Sequence, residues 1–199
     1  MPYSGPSKLG MYSGEQIVSQ LSGRFYEMAW RGNVFTASQA ATGSTIVAAN
    51  VSPVGAGAAA LFTLYNPATN IKNAVLLRTV INGISGTPGG GFVYNVIAPP
   101  AGITASANIV PISNNTLYAA QSSVVVISQS ALTNSVLAKM FRPLGGPAAV
   151  ASGAGLYGVT DYPDGDLIVP PGGAVLIAAT ATGTTHIVCC SFTWAEVPV

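Results

Sequence analysis

A histidine and two thiols near the end of this 199-residue chain are the first side chains that could do chemistry. The single histidine, His186, precedes the adjacent cysteines Cys189 and Cys190. A histidine acts as a general base when a nucleophile and an orienting acid lie nearby, and the sequence has no G-x-S-x-G motif to supply them. Adjacent strand residues point to opposite faces, so the two thiols neither bridge nor converge on a zinc ion. We expect all three to be structural residues of a reducing compartment.

A second candidate is an acidic segment, DYPDGD at residues 161–166, which contains Asp161, Asp164 and Asp166. Clustered carboxylate oxygens are the ligands that Ca²⁺ requires. The segment lacks the glutamate that closes an EF-hand loop, and Asp-Gly after a proline is ordinary turn chemistry. We expect a plain turn or hairpin, in which these aspartates are the best candidates for an ion and no metal site is predicted.

A third pattern, GAGLYG at residues 153–158, matches the G-x-G-x-x-G of dinucleotide-binding loops. That pattern indicates a cofactor only between a strand and a long helix, and Pro163 prevents such a helix here. The six carboxylates offer no acid-base pair apart from the aspartate turn. We therefore expect a loop at 153–158, no cofactor and no enzymatic activity.

The elements that position these residues are predicted to be short strands. The 23 glycines and 14 prolines separate runs rich in Val, Ile, Thr, Phe and Tyr, which is typical of strands joined by turns. In the last run both faces are uncharged, so we expect both to be covered. The sequence predicts an all-β, antiparallel sandwich with strands at 33–38, 45–50, 59–65, 74–82, 91–98, 123–129, 137–142, 167–169, 174–180 and 186–196.

The N-terminal region has a different character, because it begins polar and rich in glycine and proline. This composition favours an arm at residues 1–32 that docks on a partner, ahead of a sandwich domain at 33–199. Within the arm, apolar residues at helical spacing are compatible with a short helix over 14–24. Aromatic side chains dominate the buried centres of interfaces, so the candidate interface residues are Tyr12, Phe25, Tyr26 and Trp30.

The charge content is low, since 7% of residues are charged against about 25% in an ordinary soluble domain. Large uncharged patches tend to be contact surfaces, which predicts a homo-oligomer of closed symmetry. The seven basic residues are scattered, which argues against direct nucleic-acid binding. Apolar runs stay well short of about 18 residues and the N-terminus does not resemble a secretory signal, so we expect no membrane segment and a cytoplasmic site of synthesis.

Several segments together resemble virion structural proteins of tailed bacteriophages. They are GRFYE (23–27), RGNVF (31–35), LFTLYNP (61–67), KNAVLLR (72–78), GDLIVPPGGAVL (165–176) and FTWAEVP (192–198). The resemblance implies a capsid-associated or decoration protein with a jelly-roll-like sandwich, often trimeric. It also implies the major capsid protein or other virion proteins as partners, and assembly into the virion in the host bacterial cytoplasm.

Three alternative functions stay open at this point. One is a tail, neck or fibre-associated component of the same kind of particle. Another is a carbohydrate-binding receptor module, in which Trp30 or Trp194 stacks on a sugar. The last is a glycan hydrolase, which the scarcity of paired acids argues against.

Overall fold

The computed structural model describes residues 25–40, 42–52, 54, 60–100, 103–105, 109–117, 121–128, 132–134, 138–146, 157–181 and 185–199. Strands dominate this part of the chain, and the helical part is small. One α-helix, α1 (Tyr26–Trp30), and one 3₁₀ turn (Ala48–Asn50) are present in it. The strands are β1 (Val34–Ser38), β2 (Ser44–Thr45), β3 (Phe62–Tyr65), β4 (Lys72–Ser85), β5 (Phe92–Ile97), β6 (Ile103–Ala105), β7 (Ile112–Ser113), β8 (Val125–Ser128), β9 (Leu132–Asn134), β10 (Lys139–Gly145), β11 (Gly158–Asp161), β12 (Leu167–Val169), β13 (Ala174–Ala179) and β14 (Ile187–Pro198).

Two antiparallel sheets pack face to face, which confirms the predicted all-β sandwich. Sheet A has the order β11-β4-β14-β1-β7, with β12 also paired to β4 and β2 to β14. Sheet B has the order β10-β5-β13-β3-β8, and β6 pairs with β9 in a small separate ribbon. The longest ladder joins β4 to β14, and it runs from Ser85 opposite Ile187 to Lys72 opposite Pro198.

The main core lies between the sheets and is built on large aromatic side chains. The ring of Phe62 on β3 stacks on that of Phe192 on β14 at a centroid distance of 5.0 Å. Phe35 on β1 stacks in turn on Trp194 at 6.1 Å, and both side chains are fully buried. Offset aromatic pairs add about 0.5–1.5 kcal/mol beyond their area burial. The Phe62–Phe192 pair joins the two sheets, whereas Phe35 and Trp194 are paired neighbours within sheet A.

Strand β13 is buried on both faces, because all six of its residues lack solvent access. Its outer face packs under Val54, Ala60 and Ala138. The amide of Ala138 donates to the carbonyl of Val54 at 3.0 Å and ties these covering segments together. Sheet B is therefore covered by the chain's own residues around β13.

The sequence predicts that both faces of β14 are covered. In the structure, the two faces differ in how deeply their side chains are buried. The inward residues Val188, Cys190, Phe192 and Trp194 are fully buried. The outward side chains from position 187 to position 193 are half-buried. Only the inward face is completely covered by the described residues.

Two predicted boundaries are wrong for local reasons. The strand expected over 45–50 ends at Thr45, because the Asn50 side chain accepts a hydrogen bond from the Val47 amide and closes a 3₁₀ turn. The break expected at Pro143 does not occur, since β10 continues through it to Gly145. Strand β10 lies at the edge of its sheet, where a missing backbone donor is tolerated.

Of the loop expected over 153–158, residues 153–156 lie outside the described residues. The turn expected over 161–166 is present between β11 and β12, but a strand not predicted from the sequence takes the end position of each segment. Strand β11 begins at Gly158 and ends at Asp161, with Val159 opposite Ile81. Strand β4 is long enough to pair with β12 and then with β11. Residues 158–161 therefore form a strand against β4, although their own sequence does not predict one. The short strands β6, β7 and β9 were likewise not predicted. The described residues contain no helix long and apolar enough to cross a bilayer.

Candidate interaction surface

Helix α1 is docked on the outer face of sheet A. Its residues Met28 and Ala29, with Phe25 just before it, pack against an apolar strip formed by Val34, Leu77 and Ala195. Phe25 is one of the predicted interface residues, and the structure places it half-buried against its own chain. Residues 25–32 thus contact the sandwich directly, while the boundary drawn after residue 32 stays a prediction.

Gly32 follows the end of α1 and directs the chain into β1. Gly32 has a φ of 73°, and its amide donates to the Ala29 carbonyl at 2.9 Å. The next amide, of Asn33, donates to the Met28 carbonyl at 2.9 Å, which completes a Schellman cap. An L side chain is disfavoured at that φ, so Gly32 fixes how α1 sits on the sheet.

The outward side of α1 carries two predicted interface residues, Tyr26 and Trp30. Their side chains are 53% and 61% exposed, and their rings stack at a centroid distance of 6.3 Å. Two further exposed apolar side chains line clefts together with them, Leu117 beside both rings and Tyr162 beside Tyr26. We call these four residues the α1 surface.

Side-chain hydrogen bonds of Asn114 and Asn115 hold the segment 114–117 beside the helix. The Asn115 side-chain amide donates to the Trp30 carbonyl at 2.9 Å, and its Oδ1 accepts from the Leu117 amide at 3.1 Å. The Thr36 hydroxyl donates to Asn114 Oδ1 at 2.7 Å. These hydrogen bonds hold Leu117 close to Trp30 on the α1 surface.

A cleft of about 500 Å³ lies between α1 and the outer face of sheet A, and we call it the α1 cleft. Its lining is mostly apolar, with Arg78 and Asp164 as its charged members. The guanidinium carbon of Arg78 lies 5.6 Å from the ring centroid of Tyr162, which forms one wall. The lining residues are Phe25, Tyr26, Ala29, Val34, Leu77, Arg78, Asn114, Tyr162, Asp164 and Thr193.

The other predicted aromatic sites fall elsewhere. Tyr12, and the helix considered over 14–24, lie outside the described residues. Trp194 was considered as a platform for a sugar, and that interpretation is wrong because its side chain is fully buried in the core. Trp30 is the exposed tryptophan of the two.

The three aspartates of 161–166 do not converge. Asp161 Oδ2 accepts hydrogen bonds from Arg142 at 2.5 Å and from the Tyr94 hydroxyl at 3.0 Å. Asp164 has a φ of 50° and lines the α1 cleft, while Asp166 is exposed. Among the described residues, no group of three histidine, cysteine or acidic side chains could hold a metal ion.

His186 is buried and pairs with a tyrosine. Its Nε2 shares a short hydrogen bond with the Tyr157 hydroxyl, and its Nδ1 has no partner among the described residues. Burial lowers the pKa of His186 and raises the pKa values of Tyr157 and of the Cys190 thiol. The other thiol, Cys189, donates to the Gln39 carbonyl at 3.7 Å. The shifted pKa values favour a neutral His186 ring beside a protonated Tyr157 hydroxyl and Cys190 thiol. Uncharged groups of this kind are compatible with a structural role in the core.

Glu196 is a buried polar centre that the sequence analysis did not single out. Its carboxylate accepts hydrogen bonds from the Ser122 hydroxyl at 2.5 Å and from the Ser123 amide and hydroxyl at 2.9 and 2.7 Å. Lys72 Nζ lies 3.3 Å from the second oxygen. Burial alone raises the pKa of Glu196, but these hydrogen bonds and the ammonium group outweigh it and hold that pKa below its usual value. The sequence feature that could have identified Glu196 is an acidic residue within the otherwise apolar strand predicted over 186–196.

Comparison of the chain with protein-family models, with curated proteins and with solved structures finds no match in any of the three.

Proposed function

We propose that this chain is a structural component of a bacteriophage particle, a capsid decoration or cement protein that binds the assembled shell through the α1 surface. The observation that carries the proposal is the cluster of exposed apolar side chains around Tyr26 and Trp30. Exposed apolar patches on a soluble domain mark contact surfaces, and a chain with 7% charged residues has little else to offer a partner. The role involves no catalysis.

The strand order supports a jelly roll as the finer description of the sandwich. Eight strand positions form two sets of four, β1-β14-β4 with β11 and β12 sharing the fourth position, and β3-β13-β5-β10. Taken in chain order, these eight positions alternate between the two sheets except at the step from β5 to β10, which are neighbours. Strands β7 and β8 extend the two sheets by one strand each, and the short β2 pairs with β14. Eight strands in two sheets is the architecture of jelly rolls, which recur in viral capsid proteins and lectins.

The mechanism of the proposed role is mass action. A protein that binds the assembled shell and not its free subunits stabilises the shell by RT ln(1 + [L]/Kd) for each site. The proposal includes association of this chain with itself, as a trimer that presents three α1 surfaces to the shell. Several weak sites on one rigid body bind with an avidity far above that of one site.

The test is co-sedimentation with shells that lack this protein. The double variant Trp30→Ser/Leu117→Ser should bind at least about thirtyfold more weakly, since one interface hot spot is worth about 2 kcal/mol. Met140→Ser is the matched control, because Met140 has the same 61% exposure as Trp30 but lies on β10 of the opposite sheet. Equal binding by the double variant and the control would overturn the proposal. Electron microscopy of labelled particles distinguishes a capsid position from a tail, neck or fibre position.

A carbohydrate-binding receptor module is the second candidate, and the Tyr26–Trp30 stack favours it. Aromatic rings exposed in this way can stack on the apolar face of a sugar ring. Host surface oligosaccharides would then change the fluorescence of Trp30, while the buried Trp194 serves as an internal reference. No spectral change on titration, or the same change in Trp30→Phe, would remove this candidate.

A further inference from the structure

A second groove lies at one side of the sandwich, where β10 is the outer strand of sheet B and β12 pairs with β4 alone in sheet A. Its volume is about 290 Å³, and every residue that lines it is apolar. Residues 96–99 and Phe141 line it from sheet B, and residues 167–170 line it from sheet A. We call it the β10–β12 groove.

The walls of the β10–β12 groove are exposed although they are apolar. The side chains of Phe141 and Ile168 are 47% and 54% exposed. Ala98, Pro99 and Pro170, which also line the groove, are exposed as well. An exposed apolar groove on a soluble domain marks a contact surface. Because the groove contains no residue of the α1 surface, a partner can cover it while the α1 surface is bound elsewhere.

Two charged side chains flank the groove, one on each wall. Lys139 on β10 lies opposite Val96, a lining residue of β5, and cross-strand partners share one face of a sheet. Asp166 directly precedes Leu167, a lining residue of β12. Both charged residues are exposed, and neither forms an ion pair within the described part of the chain. The ion pairs there are Arg31–Glu27, Lys72–Glu196 and Arg142–Asp161.

We propose that copies of this chain associate through the β10–β12 groove, with Lys139 of each subunit paired with Asp166 of the next. Phe141 and Ile168 of adjacent subunits pack together at the centre of this contact. The inference rests on the self-association in the proposed function and names the surface that forms it. The occupant is a second copy of this chain, and a shell protein on this groove would contradict the inference.

The charges favour a second copy over another partner. The groove carries one cation and one anion on opposite walls, so it holds both halves of an ion pair that the subunit does not close by itself. A symmetry axis beside the groove brings the ammonium group of one subunit to the carboxylate of the next. Each subunit then uses its cation once and its anion once, and the assembly closes. An apolar centre with a charged rim is the usual anatomy of an interface, and rim charges set its orientation.

The irregular pairing of β10 separates the groove from the outer face of sheet B. The register shift between Met140 and Arg142 leaves Phe141 without an opposite residue on β5, and Phe141 lines the groove. Bulges of this kind redirect a side chain at the edge of a sheet. Met140 lies opposite Asn95, on the other face from Lys139, and is not part of the groove. The proposed contact therefore involves one face of β10.

The first experiment reverses the two charges in the isolated full-length protein. Lys139→Glu brings two carboxylates together and Asp166→Lys brings two ammonium groups together, so each should weaken self-association at least about tenfold. The double variant Lys139→Glu/Asp166→Lys exchanges the charges and should restore the association constant to within about threefold. Sedimentation velocity over a range of concentrations measures these constants. Single variants that associate like the wild type, or a double variant as weak as the single ones, would overturn the proposal.

The second experiment tests the apolar centre with a matched pair. Ile168→Ser changes the groove, and Ile112→Ser makes the same change at a side chain that is 70% exposed on β7, at the opposite edge of sheet A. We expect Ile168→Ser to weaken self-association at least about tenfold, as the loss of a central interface residue does, and Ile112→Ser to leave it unchanged. Circular dichroism checks that both variants fold. Equal association constants, or a wild-type chain that stays monomeric, would overturn the proposal.

The inference and the proposed shell binding fail separately. Both experiments on the groove use protein without shells, whereas the co-sedimentation assay changes Trp30 and Leu117, which lie outside the groove. Shell binding that depends on the α1 surface, together with self-association that ignores the groove variants, would overturn the inference alone. Self-association that depends on Lys139 and Asp166 would support it even where the protein does not bind shells.

Discussion

Arg142 and Asp161 join the edges of the two sheets, with Nη2 of Arg142 on β10 2.5 Å from Oδ2 of Asp161 on β11. The same carboxylate oxygen accepts from the hydroxyl of Tyr94, whose ring lies 5.5 Å from the guanidinium carbon. A charge-assisted hydrogen bond restricts the relative position of its partners more narrowly than an apolar contact does. This pair therefore adds a directional contact between the two sheets at their edge.

Asp161→Ala should destabilise the fold by about 2 kcal/mol, because it leaves the buried Tyr94 hydroxyl and the Arg142 guanidinium without their acceptor. Asp166→Ala is the control, since Asp166 is exposed, and it should change the free energy of unfolding by less than about 0.5 kcal/mol. Urea denaturation measures both. Equal losses would show that Asp161 has no special role in joining the sheets.

Glu196→Gln should cost about 2 kcal/mol at pH 7, because a neutral amide replaces a buried, hydrogen-bonded carboxylate. The pKa of Glu196 is lower in the folded state, so the unfolded state takes up its proton first as pH falls. Its contribution is complete above about pH 4.3, the usual glutamate pKa, and is lost as pH falls through the lowered value. Denaturation at pH 3 to 7 should show this slope in the wild type and a smaller one in Glu196→Gln.

His186→Gln should remove a different pH dependence. Burial lowers the pKa of His186, so the folded state resists protonation and the unfolded state does not. Stability is then complete above about pH 6.5 and declines as pH falls from there towards the lowered pKa. The variant should lack this decline while it keeps the steeper loss below about pH 4.3. A hydrolytic activity that is present in the wild type and absent in His186→Gln would contradict a structural role.

Gly86 and Gly145 form a matched pair, because both have a φ of 84°. A Cβ on Gly86 would lie 2.0 Å from the Thr185 carbonyl oxygen, whereas one on Gly145 would meet nothing within 4 Å. Gly145→Ala should therefore cost only the backbone strain, about 1–2 kcal/mol, and Gly86→Ala should cost more because the backbone must also move. Thermal denaturation compares them, and similar melting temperatures would mean that the backbone near Thr185 yields easily.

The sandwich could be predicted because its long strands have short-range signals. Runs such as 74–82 and 174–180 combine β-branched residues with flanking breakers, and β4 and β13 lie there. Strand β11 could not be predicted in this way, because Gly158 and Asp161 pair only where β4 runs past its other partner β12. Its formation depends on a residue 76 positions away, Asn82 opposite Gly158, and local composition does not contain that information.

The candidate surface was predictable in part. The aromatic type of Tyr26 and Trp30 predicts a contact surface, and both side chains are exposed on α1. Their companions Leu117 and Tyr162 come from distant segments with no periodic pattern, so only the fold brings them to the helix. Residue type alone does not identify such a surface. Trp194 is also a tryptophan, but it lies on the inward face of β14 and is fully buried.

The course of β10 has a consequence for how copies of this chain can meet. As the outer strand of sheet B it presents a row of backbone groups that could pair with another chain and grow into a fibril. Pro143 has no amide proton to donate, and the pairing of β10 with β5 shifts register between Met140 and Arg142 and again between Pro143 and Gly145. An edge strand with irregular pairing and a missing amide donor is a poor template for the addition of another strand. Copies of this chain at high concentration would thus be hindered from polymerising edge to edge through β10.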